Sequence, residues 1–195
     1  MVLRRWMGLG LCLVLAGPVF AQEGVQEKPS ATAPQLSPAD SLNALLTMMQ
    51  SEVVGAAEAM PADKYDFAPA TSIGLYTGVR TYGQQVKHLA ESNYAFFHNW
   101  GVSGGMDRNA IEALKTKDEI VDALKKSYAY AHEAINTITP ENAFQALPGP
   151  PQRKMTRVSV AAFCMAHSMD HYGQMVEYLR MNGIVPPASR PSGSM

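Results

Sequence analysis

The chain has 195 residues, of which 47% are hydrophobic and 17% are charged, and its formal net charge is −1. This length and composition are typical of one globular domain and argue against a disordered, collagen-like or multi-domain chain. Sixteen basic against seventeen acidic side chains leave no basic excess of the kind that nucleic-acid binding requires, so we expect no nucleic-acid partner.

Residues 1–21 have the features of a cleaved secretory signal peptide. Arg4 and Arg5 precede an apolar run that ends near Phe20, and a signal peptidase would cut after Ala21. The run is shorter than the roughly 20 residues of a membrane-spanning helix, which disfavours the alternative of a permanent anchor. We therefore expect export, to the periplasm or out of the cell, and no stable membrane anchor after cleavage.

The remaining chain is predicted to be one domain, residues 37–187, between two tails. Residues 22–36 are rich in Glu, Pro, Ser, Ala and Gln and are predicted to be a disordered tether, and residues 188–195 a flexible tail. Removal of the signal peptide would remove Cys12 and leave Cys164 alone. We therefore expect no internal disulfide.

Helical periodicity predicts four amphipathic helices in this domain. The first begins at the N-cap Ser37 and ends before Pro61. The second begins at Thr81, which forms a capping-box spacing with Gln84, and runs to about Trp100.

The third helix begins at a second capping-box spacing, at Thr116, and is closed by Pro140. The fourth runs from about Thr156 to Asn182, where Gly183 is placed to cap it. No alternating strand pattern or internal repeat competes with these helices. The predicted fold class is therefore all-α, a four-helix bundle.

Two of the predicted connections are long for a bundle, residues 61–80 and residues 142–155. Antiparallel neighbours need only a few linking residues. We expect each long connection to be either a crossover between distant helices or the wall of a pocket.

The chemistry of the sequence is concentrated on the fourth helix. His167 and His171 are four residues apart, so both imidazoles project from one helical face and can reach one ion. They belong to an inward stripe that also contains Cys164, Gln174 and Tyr178. Buried imidazole and amide groups need partners, and a metal ion would satisfy both histidines at once.

His88 is the natural third ligand, because it lies about two turns into the second helix, at a depth similar to that of the histidine pair. Three neutral imidazoles leave a coordination position open, as catalytic zinc sites do. The alternative is that these are core histidines bonded to carbonyl groups or water. The remaining histidines, His98 and His132, are predicted to be surface or rim residues.

The neighbours of the histidines have several possible roles. Gln174 is expected to support a ligand or orient a bound water, or to form an ordinary inter-helix hydrogen bond. Tyr178 is assigned to the same pocket. Cys164 is either a small buried residue or a pocket thiol. Asp170 and Glu177 fall on the polar side of the helix, so no carboxylate can be named as a general base.

Met165 and Met169 suggest a copper site, because thioethers are good ligands of Cu(I). At about 100° per residue, however, both methionines point across the helix from His167. We interpret them as packing or dimer-interface residues. The wide apolar arc that they give the helix predicts a homodimer.

Three segments together resemble the DinB-like family of four-helix metalloproteins. They are HSMDHYGQMVEYLRMNG from His167, TYGQQVKHLA from Thr81 and DKYDFAP from Asp63, and the resemblance extends over roughly residues 42–187. It implies a frequently dimeric bundle in which one histidine of the second helix and two of the fourth bind a metal, here His88, His167 and His171. Some relatives transfer low-molecular-weight thiols or use them as cofactors, and many have no known reaction. Those thiols are cytosolic, so the predicted export is a departure from that part of the family.

We therefore expect an exported metalloprotein with a three-histidine divalent site that acts on an unidentified small molecule. Zinc is the first choice of metal, with nickel and iron as alternatives. The expected activity is hydrolysis or group transfer, in which an open metal position activates water or a thiol. The alternative is a non-catalytic metal- or ligand-binding module, which the absence of an identifiable base favours.

Overall fold

Five α-helices make up most of the described part of the chain. The computed structural model describes residues 34–149 and 154–191, so the predicted signal peptide and most of the predicted tether lie outside the described residues. The helices are α1 (Pro38–Ala59), α2 (Tyr82–Phe96), α3 (Arg108–Ala113), α4 (Lys117–Asn136) and α5 (Arg157–Met181). Short 3-10 turns lie at Ala62–Lys64, Thr71–Ile73 and Pro187–Ser189. Within the described ranges there is no β-strand, only an isolated bridge between Ala146 and Thr156.

Side-chain caps fix the starts of the helices, as predicted. The backbone N–H of Gln84 donates to the Thr81 hydroxyl at 3.3 Å, and the backbone N–H of Thr81 donates to Gln84 Oε1 at 2.8 Å. Thr116 and Glu119 form the same reciprocal pair at 3.3 and 2.9 Å. Each pair satisfies two of the backbone N–H groups that a helix start leaves without partners.

The four long helices form the predicted bundle. α1 packs against α4 and α5, and α2 packs against the same two helices. The diagonal pairs are therefore α1 with α2 and α4 with α5, and these are the pairs joined by the two long connections. Both connections are crossovers, which confirms one of the two roles expected for them.

The crossover from α1 docks against the start of α2. The Gly83 N–H donates to the Tyr65 carbonyl at 2.7 Å, and the Tyr82 N–H donates to the Phe67 carbonyl at 2.8 Å. A Cβ at Gly83 would lie 3.1 Å from Tyr65 Cδ1 and 3.2 Å from the Tyr65 oxygen. The Tyr65 hydroxyl in turn donates to the Ala57 carbonyl of α1 at 2.7 Å. These contacts set the height of α2, and hence of His88, in the bundle.

α2 ends at Phe96, so the prediction that it runs to about Trp100 is wrong by one turn. Phe97 and Trp100 are both buried, with ring centroids 5.0 Å apart in an edge-to-face contact. Between them Asn99 has a φ of 65°, a left-handed conformation that a helix does not allow. Tertiary burial of the two rings therefore overrides the helical period.

The C-terminus of α5 has the cap predicted for it. Gly183 has a φ of 73°, its N–H donates to the Arg180 carbonyl at 3.0 Å, and the Ile184 N–H donates to the Leu179 carbonyl at 3.0 Å. The 3-10 turn Pro187–Ser189, which follows, packs against α1. None of the described helices is both long and apolar enough to cross a bilayer.

Candidate metal centre

A line of polar contacts runs along the interface of α2 and α5, which we call the polar seam. Gln85 contacts Gln174 and His171, Ser92 contacts His167, and Asn93 contacts Cys164. Residue numbers rise along α2 as they fall along α5, so the two helices are antiparallel here. The seam brings the middle of α5 opposite the middle of α2, where His88 lies.

Three histidines converge in the seam. His88, His167 and His171 each offer a ring nitrogen, and the three nitrogens lie within 4.8 Å of one another. The ring centroid of His88 lies 5.2 Å from that of His167 and 4.8 Å from that of His171. The ring centroids of His167 and His171 are 4.5 Å apart. We call these residues the histidine cluster. The structure thus brings together the three side chains that the sequence proposed as ligands.

Amide side chains hold the ring of His171. Gln85 is 2% exposed, and its Nε2 donates to Gln174 Oε1 at 2.8 Å. Its oxygen therefore faces His171 and accepts a hydrogen bond from Nδ1–H at 2.8 Å. Gln174 Nε2 in turn lies 3.4 Å from an Asp170 carboxylate oxygen. This chain places the proton of a neutral His171 on Nδ1 and leaves Nε2 bare.

Besides the other two histidines of the cluster, His167 has one polar and two aromatic neighbours. Its Nε2 lies 3.1 Å from the Ser92 hydroxyl. The Phe96 ring meets the imidazole edge-to-face at 5.4 Å, and the Phe163 ring stacks on it at 6.3 Å. Phe163 is 51% exposed, so the outer side of the cluster is a partly exposed apolar wall.

The cluster is built to stay neutral. Burial lowers the pKa of His88 and of His171 to about 4, and the positive Arg80 and the neighbouring histidines add to the effect. Burial also lowers the pKa of His167. All three rings therefore present unprotonated nitrogens at neutral pH, the form in which imidazole binds a metal.

The donor set fits a divalent ion. Among the described residues, neither ring nitrogen of His88 has a hydrogen-bond partner, and one nitrogen each remains on His167 (Nδ1) and His171 (Nε2). Zinc–nitrogen bonds are about 2.0–2.1 Å long, so two ligand nitrogens on one tetrahedral ion lie about 3.4 Å apart. The three nitrogens here lie within 4.8 Å of one another, and rotations of the side chains that close the widest separation by about 1.4 Å would bring them to that distance.

One member of the cluster, His88, lines a cleft of about 1050 Å³. His88, Gln85, Gln174 and Tyr178 line its inner wall, and the crossover from α1 contributes Tyr76 and Val79. That crossover is therefore also a pocket wall, the second role expected for a long connection. The charged side chains of the cleft are Arg80, Lys87, Glu91, Arg108, Glu112 and Glu177.

Glu91 is the carboxylate that the sequence analysis missed. It lines the cleft three residues after His88, and its side chain is 12% exposed, 3.6 Å from Arg108 Nε. Burial raises the pKa of Glu91 even though Arg108 opposes the shift. The available signal was the spacing of three from His88, which puts both side chains on one side of α2.

The other predicted pocket residues separate into two groups. Gln174 and Tyr178 line the cleft, and the Tyr178 hydroxyl donates to the Arg80 carbonyl at 3.2 Å. Cys164 is fully buried outside the cleft, where its thiol donates to Asn93 Oδ1 at 3.3 Å. Burial raises the pKa of Cys164 to about 12. The small-buried-residue interpretation fits this position, and the pocket-thiol interpretation does not.

The remaining histidines lie away from the cluster. His98 is exposed, as predicted. His132 is half-buried between α4 and α1, where its ring nitrogens lie 2.7 Å from Asn43 Oδ1 and 2.9 Å from Gln50 Oε1. Met165 is 2% exposed and packs within the bundle.

Comparison with known proteins agrees with this architecture. The model of the DinB superfamily matches residues 45–175, a range that includes all three histidines of the cluster. A DinB-like protein of Bacillus cereus has a similar structure, with a TM-score of 0.64 at 16% identity, over 76% of this chain and 95% of that one. A DinB-like protein of Bacillus subtilis also has a similar structure, with a TM-score of 0.57 at 17% identity, over 73% of this chain and 92% of that one. At these identities the similarity shows the fold alone. No curated protein matches the sequence.

Proposed function

The chain belongs to the DinB superfamily, and we propose that it is a metal-dependent hydrolase or transferase in which His88, His167 and His171 hold one divalent ion. The observation that carries the proposal is the convergence of three neutral imidazoles, one of which, His88, lines a cleft. Zinc suits this donor set best, and nickel and iron are the alternatives.

The ion would supply one kind of chemistry. Bound with an open position, a divalent ion lowers the pKa of a water or thiol next to it and so provides a nucleophile at neutral pH. The protein orients His171 through the Gln85–Gln174 pair, in which Gln85 Oε1 accepts a hydrogen bond from His171 Nδ1–H. Phe96 and Phe163 cover His167 from the outside and limit its contact with water.

Glu91 is the side chain placed to accept or return a proton in the cleft. It lies on the same side of α2 as His88, and its raised pKa brings it closer to neutral pH, where proton transfer is most effective. Arg108 Nε, 3.6 Å away, holds the carboxylate in place. This assignment supplies the base whose absence favoured a non-catalytic module.

The first experiment is elemental analysis of protein purified without added metal or chelator. Wild type is compared with a variant carrying His88→Ala, His167→Ala and His171→Ala, and with His98→Ala as the matched control. We expect about one ion per chain in the wild type and in the control, and none in the triple variant. A triple variant that retains the ion, or a wild type that takes up no zinc, nickel or iron when these are supplied, would refute the proposal.

The non-catalytic module remains the alternative, and solvent exchange at the ion distinguishes the two. A catalytic site keeps a position that water or a small inhibitor can enter, whereas a structural site is closed by a fourth protein ligand. In cobalt-substituted protein, a change of the visible spectrum on addition of azide or cyanide supports the enzyme, and an unresponsive tetrahedral spectrum supports the module.

Export, cleavage after residue 21 and homodimer formation are also part of the proposal. Export and cleavage rest on the sequence of residues 1–21, outside the described residues, and the homodimer rests on the apolar arc predicted for α5, of which Met165 packs within the bundle. Mass spectrometry of the mature N-terminus in a fractionated host tests the first two.

A further inference from the structure

We infer that the cleft binds a small molecule through an anionic group, a carboxylate or a phosphate, and that Arg80 is the side chain that recognises it. This inference deepens the proposed function, on which it rests in part, by naming the chemical class of the ligand. It concerns a residue to which the sequence analysis gave no role.

Arg80 is placed at the cleft and held there through its backbone. The residue is exposed and lines the cleft with His88 and Tyr178. Its carbonyl accepts a hydrogen bond from the Tyr178 hydroxyl at 3.2 Å, and Thr81, the next residue, caps α2.

The guanidinium of Arg80 is the cation of this cleft that has no protein partner within residues 34–149 and 154–191. Arg108 Nε pairs with Glu112 at 2.9 Å and with Glu91 at 3.6 Å. The Lys87 ammonium donates to the carbonyl groups of Glu112 and Leu114. Glu177 also lines the cleft but forms no ion pair with Arg80. The fork of Arg80, which matches a carboxylate or phosphate in shape, is thus available to a ligand.

The charge balance of the cleft favours the same ligand class. Its three cations and three carboxylates cancel formally. A divalent ion on three neutral imidazoles would add two positive charges, of which the carboxylate of Asp170 on α5 could offset one. An anionic ligand that reaches both the cluster and Arg80 would neutralise the remainder.

The experiment is calorimetric titration of zinc-loaded protein with succinate and with phenyl phosphate, using neutral succinamide as the control ligand. The variants are Arg80→Gln, Arg80→Lys and, as a matched loss of one exposed charge elsewhere, Lys126→Gln. The Lys126 side chain pairs with Asp122 on α4. We expect at least one of the anions to bind more tightly than succinamide, and Arg80→Gln to weaken it about tenfold, as the loss of a charge-assisted bidentate pair does. Arg80→Lys should lose less of the anion affinity and Lys126→Gln should lose none. The zinc content should be unchanged in all three variants.

The outcomes separate this inference from the proposed function. If Arg80→Gln binds both anions as wild type does, or if succinamide binds as well as they do, the inference is overturned. If the chain takes up no zinc, nickel or iron, the proposed function fails, and the same titrations of the metal-free protein decide the inference by the same criterion. The anion with the larger dependence on Arg80 identifies the group as carboxylate or phosphate.

Discussion

Replacing Gln85 by leucine tests whether the cluster is organised to hold a metal. Gln85 is 2% exposed, so its amide has no access to bulk water, and it accepts from His171 Nδ1–H while donating to Gln174. Leucine has similar size but neither group. The variant therefore keeps the packing and removes the acceptor that orients the His171 ring.

The expected loss follows from these two hydrogen bonds. Removal of the partner of a metal-bound histidine typically weakens metal binding 10–100-fold, which is about 1.4–2.7 kcal/mol. In the metal-free protein, the orphaned Nδ1–H and Gln174 oxygen should lower the free energy of unfolding by about 1–3 kcal/mol. The first effect exists only if His171 is a ligand.

The assay is competition for zinc with a chromophoric chelator, together with urea unfolding of the metal-free forms. Gln85→Glu is the matched control, because a carboxylate still accepts from Nδ1–H and makes the imidazole a better donor. We expect zinc affinity to fall in Gln85→Leu and to be kept or raised in Gln85→Glu. Equal zinc affinity for wild type and the leucine variant would refute the argument, even if the variant is less stable.

Further outcomes follow from the pKa shifts, the glycines and the predicted dimer. Because the pKa values of His88 and His171 fall to about 4 on folding, the unfolded chain binds more protons between that pH and about 6.5, so metal-free wild type should lose stability on acidification through this window. Urea midpoints at several pH values check this, and the triple alanine variant should show a flatter profile. Gly83→Ala should destabilise the fold by about 1–2 kcal/mol because its Cβ meets Tyr65, whereas Gly173→Ala, which meets nothing within 4 Å, should stabilise it by about 0.5–1 kcal/mol in thermal unfolding. Light scattering at micromolar concentration should give the mass of a dimer, and a monomer mass would contradict the homodimer.

The helices and the cluster were predictable because their signals are local. A threonine three residues before a glutamine or glutamate marks a helix start through contacts within one turn, and both such starts are confirmed. The spacing of His167 and His171 puts their rings on one face whatever the rest of the chain does. The position of His88 opposite them needed only the depth of each residue in its helix.

What the sequence did not reveal depends on contacts between distant segments. α2 ends early because Phe97 and Trp100 are buried, and Arg157 from α5 lies 4.6 Å over the Trp100 ring. The short helix α3 brings Arg108 to Glu91, and the pair defines one side of the cleft. No local pattern indicates either contact. Gln85 and Glu91, by contrast, lie three residues before and after His88, and helical spacing alone would have assigned them to the same side of α2.

The polar seam itself is the strongest argument that this bundle is built around a ligand. Apolar side chains at the positions of Gln85, Ser92 and Asn93 would contribute to stability, whereas the buried polar groups present there only exchange hydrogen bonds with water for hydrogen bonds within the protein. Every buried polar side-chain atom of the described residues has a partner, yet the ring nitrogens of His88, at the edge of the cleft, have none. An ion bound only by the folded state would stabilise the fold in proportion to the logarithm of its concentration over its Kd. An ion held by the histidine cluster, as proposed, would therefore tie the stability of the fold to the occupancy of that site.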